Sequence, residues 1–203
     1  MRRQLTWPVF TAICLILAMP VSSQAEKDVC SQAAQASSPE KQIELWTQCL
    51  QTDQLDDRSL AAAYSNRGNA KRQAGNLDGA IEDFSQAIDI LGDEPRLYYN
   101  RALTLGSAER FQEAVEDFSM AIELDADFVS AYFNRGMARY NLGNYQAAAE
   151  DFSQVLHLEP NQAKAYAQRA FARKAMGRMK AAREDARIAA SLNSSLTVPE
   201  FPD

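Results

Sequence analysis

Tyr98-Tyr-Asn-Arg101-Ala102 and Glu116-Asp117-Phe118 return 34 residues later as Tyr132-Phe-Asn-Arg135-Gly136 and Glu150-Asp151-Phe152. The pattern also stands one period earlier, as Tyr64-Ser-Asn-Arg67-Gly68 and Glu82-Asp83-Phe84. One period later it recurs in altered form, as Tyr166-Ala-Gln-Arg169-Ala170 and Glu184-Asp185-Ala186. A fixed period of this length marks a stack of small helical hairpins, none able to bury its apolar face alone. The usual business of such stacks is binding rather than chemistry.

The columns of the repeat explain most of its residues. Gly68, Ala102, Gly136 and Ala170 share a small-residue column where two helices can approach closely. Gly75, Glu109, Gly143 and Gly177 mark the turn between the two helices of each unit, with Glu109 the exception. Ala80, Ala114, Ala148 and Ala182 form a second small column, and Phe84, Phe118 and Phe152 are core residues, replaced in the last unit by Ala186. Arg67, Arg101, Arg135 and Arg169 each precede an aspartate by 16 residues: Asp83, Asp117, Asp151 and Asp185. The turn lies midway between them, so an antiparallel hairpin brings the two side chains level. An unpaired buried charge is costly, and each arginine arrives with its own acid. We therefore expect a charge-paired spine, closed within a hairpin or between neighbours, rather than a row of ligand-binding cations.

These columns resemble the tetratricopeptide repeat family over residues 61 to about 194. The resemblance implies an all-α fold: a right-handed superhelical solenoid of antiparallel helix pairs, with the first helix of each pair lining a concave groove. Within residues 57–194 it places four tandem units at about 61–94, 95–128, 129–162 and 163–194. A weaker unit, residues 26–56, reads as an N-terminal helical hairpin, with helices over 26–36 and 39–52. Ser38 is its expected N-cap and Pro39 its first-turn residue. Trp46 there falls in the Phe84 column. Residues 195–203, with Pro199 and Pro202, read as an extended tail; the alternative is a tail folded back with Phe201 as its anchor.

By the same resemblance, the groove includes the amide column Asn66, Asn100, Asn134 and Gln168, able to donate to and accept from an extended peptide backbone. Beside it stand Tyr99 and Phe133, then Asn69, Leu103, Met137 and Phe171, and one turn further Tyr140. The aromatics either meet a ligand or pack between neighbouring first helices. The family's carboxylate-clamp subtype would need basic residues where Ser65, Ser130 and Asn134 stand, so clamp binding is not expected.

Residues 1–25 carry Arg2 and Arg3, an apolar stretch from Leu5 to Met19, and small residues at Ser23 and Ala25. That is the layout of a signal peptide cleaved after about Ala25, and the apolar stretch is short of the roughly 20 residues that span a bilayer. The expected compartment is periplasmic or secreted, with no membrane insertion after cleavage. Cys14 lies in the signal core, and the remaining Cys30 and Cys49 most simply form one disulfide in an oxidising compartment.

Removing two arginines and no acids takes the formal charge from −6 to −8. An acidic chain argues against nucleic acid, because phosphate binding needs a basic face. The single histidine, His157, shares a column with Asp89, Glu123 and Ser191, an exposed face. No catalytic motif, metal-ligand spacing or cofactor loop is present. The expected function is a non-catalytic interaction module for a protein or peptide partner, without cofactors. The alternative is a structural repeat protein that homo-oligomerises, its groove filled by a neighbouring copy or by its own tail.

Overall fold

The structure, a computed structural model, describes residues 22–52 and 55–201. Most of the signal-peptide segment, residues 1–21, lies outside the described residues, as do residues 202–203 of the tail. Ten α-helices and no strands occur among the described residues: α1 Ser22–Gln35, α2 Pro39–Cys49, α3 Asp57–Gln73, α4 Leu77–Ile90, α5 Pro95–Ser107, α6 Phe111–Leu124, α7 Val129–Asn141, α8 Tyr145–Leu158, α9 Ala163–Ala175 and α10 Met179–Leu192. They pair in order as antiparallel hairpins and stack into a right-handed superhelical solenoid. First helices of consecutive hairpins also touch directly (α3 with α5, α5 with α7, α7 with α9), which places them on the inner side of the curve.

Local chemistry sets the hairpin ends. Ser38 caps α2 by accepting the Lys41 N–H, with Pro39 at the first helical position. Helix α3 starts a turn before residue 61 because the Asp56 carboxylate accepts the Ser59 N–H at 2.7 Å. At the turns, Gly75, Gly143 and Gly177 have φ of 80°, 77° and 73°, and Glu109 is forced into the same left-handed conformation at φ 59°. Its amide still donates to Gly106 O, and that of Arg110 to Leu105 O, so the turn keeps its hydrogen bonds at a cost of about 1–2 kcal/mol in side-chain crowding.

The core is a series of small clusters strung along the stack, each built at the meeting of neighbouring helices. Phe84, Phe118 and Phe152 are buried, and the small column opposite them leaves room for the rings. A Cβ at Gly136 would lie 2.9 Å from Phe152 Cε1, and one at Gly68 would lie 3.2 Å from Phe84 Cε1. The N-terminal hairpin contributes its own cluster around Ala33, Leu45, Trp46 and Cys49. There Cys30 and Cys49 form a disulfide between α1 and α2, with their Cα atoms 5.1 Å apart.

Candidate functional site

Each spine arginine grips the aspartate of its own hairpin with two nitrogens. Arg67 donates from Nε and Nη2 to Asp83 at 2.9 and 2.7 Å, Arg101 to Asp117 at 2.7 and 2.8 Å, and Arg169 to Asp185 at 2.9 and 2.8 Å. Arg135 does the same with Asp151, its shortest contact being 2.7 Å from Nη2. All four aspartates are buried. The bonds to Asp83 and Asp117 raise the Arg67 and Arg101 guanidiniums above their ordinary value. Burial pushes the Asp151 carboxyl up, against the pull of its arginines. Tyr64, Tyr98, Tyr132 and Tyr166 lie beneath these guanidiniums, 5.4–5.9 Å from ring centre to Cζ.

Two further columns complete the spine and were not assigned from the sequence. Lys71, Arg139 and Arg173 supply a second cation to Asp83, Asp151 and Asp185 at 2.9, 2.9 and 2.6 Å. Asp117 has none, because Leu105 occupies that column. Burial, together with Arg169 nearby, lowers the Arg173 guanidinium. The remaining guanidinium nitrogen reaches back to the preceding hairpin: Arg67 Nη1 to Thr47 (3.3 Å), Arg101 to Ser85 (2.9 Å), Arg135 to Ser119 (3.0 Å) and Arg169 to Ser153 (3.1 Å). Each hydroxyl donates to the carbonyl four residues earlier in its helix and so can accept from the arginine. The spine therefore closes ion pairs within hairpins and ties hairpins to one another. A 34-residue serine column was the available signal.

The residues expected at the groove divide into three groups: packed aromatics, residues lining two hollows, and Gln168 with Phe171, which do neither. Tyr99 and Phe133 are committed to interhelix packing. The Tyr99 ring lies 4.8 Å from Phe128 and 5.7 Å from Phe118, and its hydroxyl accepts from Asn134 Nδ2 at 3.1 Å. Burial raises its phenol. Phe133 packs edge-on to Phe152 at 5.6 Å, and Tyr140 to Tyr145 at 5.1 Å. Leu103, Met137 and Asn134 line a hollow of about 230 Å³ between α5 and α7. Asn66, Asn69 and Asn100 line a larger one of about 580 Å³ between α3 and α5, together with Arg58, Ser65 and Arg96. Arg72, one turn on, donates to Asn69 Oδ1 at 3.2 Å, and its buried Nε has no partner. Neither Arg72 nor Arg96 forms an ion pair among the described residues. Gln168 and Phe171 are half-buried on α9 and join neither hollow.

A third hollow, about 620 Å³, lies between the N-terminal hairpin and α3, with Cys30, Trp46, Cys49, Leu55 and Ala62 in its walls. His157 is exposed. No cluster of metal-ligating side chains occurs among the described residues. No helix among them is long and apolar enough to cross a membrane.

A solenoid of antiparallel helix pairs at a 34-residue period defines a class of helical repeat proteins. Residues 95–128 and 129–162 match the family model described as tetratricopeptide repeat, and residues 68–108 match one described as TPR repeat. By these matches, residues 68–162 of the chain are tetratricopeptide repeats. No curated protein matches it in sequence. Among solved structures it is similar in fold to MamA, at TM-score 0.75 and 16% identity, covering 87% of this chain and 97% of that one. A second MamA structure, of MSR-1, gives TM-score 0.71 at 22% identity, covering 84% and 96%. YrrB, described as a TPR protein with an unusual peptide-binding site, gives TM-score 0.70 at 21% identity, covering 85% and 84%.

Proposed function

We propose that this protein is a non-catalytic interaction module that holds an extended peptide or a partner's helix against the first-helix face, and that it works outside the cytoplasm after losing residues 1–25. The observation that carries this is the hollow between α3 and α5, where Asn66, Asn69 and Asn100 stand beside Arg58 and Arg96. Amides offer both a donor and an acceptor to a peptide backbone, and Arg58 and Arg96, with Glu94 in the same wall, add charged groups for the partner's side chains. The peptide-binding site in YrrB's description supports the same use of a similar fold. Support for export comes from the Cys30–Cys49 disulfide, since such bonds persist in oxidising compartments.

The test is capture of partners from the exporting cell's envelope by the intact chain and by the Asn66→Ala, Asn100→Ala double variant, with circular dichroism as the folding control. Loss of a heterologous partner from a folded variant supports the proposal. An unchanged set of partners together with an altered molecular mass supports self-association instead. The chain's own tail touches the groove side only at its C-terminal end, at Lys174 in the Tyr140 column with Arg183 beside it, and no described tail residue lines the α3–α5 hollow.

A further inference from the structure

Residues 198–201 stand in the register of the first helix of a further repeat without forming one. Counted by the period, Pro199 falls in the column of Leu97, Ala131 and Ala165, and Phe201 in that of Tyr99, Phe133 and Ala167. The first of these columns is buried in every unit, and Pro199 is buried too. In the second column one earlier unit has the same pairing of ring and cation, since Phe133 has Gly106 at the matching position and Ala167 has no ring. Tyr99 lies near the cation of Arg72 on the preceding first helix, and Phe201 lies 5.7 Å from the ammonium of Lys174, the Arg72 counterpart. Arg183 covers the same ring at 5.4 Å, and Lys174 Nζ donates to the Glu200 carbonyl at 2.5 Å.

The segment is extended for a local reason. Val198 and Phe201 each precede a proline, which disfavours helical backbone, and a proline cannot donate a helix hydrogen bond. The last hairpin is altered to match. Arg183 replaces Ile81, Val115 and Ala149, turning an apolar packing position into a cation for an aromatic ring. Arg187 replaces Ser85, Ser119 and Ser153, the hydroxyls that receive the next unit's arginine. A further hairpin of the same kind, from this chain or a second copy, would bring its spine arginine to Arg187, which pairs with Glu184 at 3.3 Å and offers no acceptor in place of the serine hydroxyl.

We infer that the α9–α10 end of the stack is a binding site for an extended segment that presents an aromatic ring to two cations, and that residues 198–201 occupy it in cis as a cap. The site lies apart from the α3–α5 hollow and needs no external partner, so it stands or falls independently of the groove. In cis the segment acts at high effective concentration, so a free copy of it competes poorly until the attached one is weakened.

The test uses the full chain and its Phe201→Ala variant. A synthetic peptide of residues 195–203 is expected to bind the variant at least about tenfold more tightly than the unaltered chain. Hydrogen exchange in α10 is expected to quicken several-fold in the variant, leave α3–α6 unchanged, and slow again when the peptide is added. A Lys174→Met, Phe201→Ala chain should lose part of the peptide affinity. Equal exchange of α10 in the variant and the unaltered chain, or no peptide binding by the variant, overturns the inference.

Discussion

Replacing Asp117 by alanine removes the one carboxylate bonded to Arg101 and leaves the guanidinium with only the Ser85 hydroxyl at 2.9 Å. Removing one partner of a buried pair costs about 3–5 kcal/mol, because the other charge stays behind without compensation. The Arg101 side chain is 23% exposed, against 14–17% for the other three spine arginines. Water reaches it more readily, and no second cation is stranded with it, so the lower end of that range, about 3 kcal/mol, is expected. For a chain of this size 1 kcal/mol moves the melting temperature by roughly 2–4 °C, giving a fall of about 6–12 °C. Thermal melting by circular dichroism reads the whole stack, and hydrogen exchange in α5 and α6 reads the damaged hairpin, since repeat stacks lose strict two-state behaviour. Asp151→Ala strands both Arg135 and Arg139 and should cost more. An Arg101→Met, Asp117→Leu chain should regain most of the loss, because an apolar pair of similar volume has no charge to bury. A loss below about 0.5 kcal/mol for Asp117→Ala would refute the reasoning and make the pair a surface contact.

Glu109→Gly relieves a left-handed backbone position and should raise stability by about 1 kcal/mol; an unchanged melting temperature would mean that the turn stores no strain. Gly136→Ala should lower stability by about 1–3 kcal/mol despite alanine's higher helix propensity, because its Cβ meets Phe152 at 2.9 Å and Asp151 Cβ at 3.2 Å. Gly68→Ala, with its nearest contact at 3.2 Å, should be milder in the same melt. Replacing both Cys30 and Cys49 by serine opens a loop of 19 residues and should cost roughly 3 kcal/mol, with faster hydrogen exchange confined to α1 and α2. The bond from the Ser59 amide holds the Asp56 carboxyl below its ordinary range. Its folded value is thus below its unfolded one, so the cap's contribution is present above the ordinary carboxylate range and is lost as pH falls through the folded value. Asp56→Asn should therefore remove the acid sensitivity of hydrogen exchange in the first turn of α3, and an unchanged acid response would assign it to another group.

The 34-residue period and its small, aromatic and turn columns are local facts, repeated within each hairpin, and a hairpin's antiparallel pairing follows from its turn. That is why the all-α stack, the Phe84, Phe118 and Phe152 core and the level placement of arginine and aspartate can be read from the chain without coordinates. Glu109 belongs to the turn column by period alone, although its side chain argues against it; neighbouring hydrogen bonds impose the conformation that glycine adopts freely elsewhere.

What passes between hairpins depends on the superhelical rotation from one unit to the next, and spacing along the chain does not encode that rotation. Tertiary packing therefore decided that each spine arginine bonds its own hairpin's aspartate while its third nitrogen finds the serine of the hairpin before. It also gave Asp83, Asp151 and Asp185 a second cation and turned Tyr99 and Phe133 inward against Phe118, Phe128 and Phe152. The amides of α3 and α5 were left to line open space. The tail shows the same division: its prolines exclude a helix from sequence alone, but only the arrangement of Lys174 and Arg183 around Phe201 determines where it lies. A repeating sequence thus determines the unit, because each unit's contacts are near in the chain. The rotation between units determines the surface, because that is where residues far apart in sequence meet.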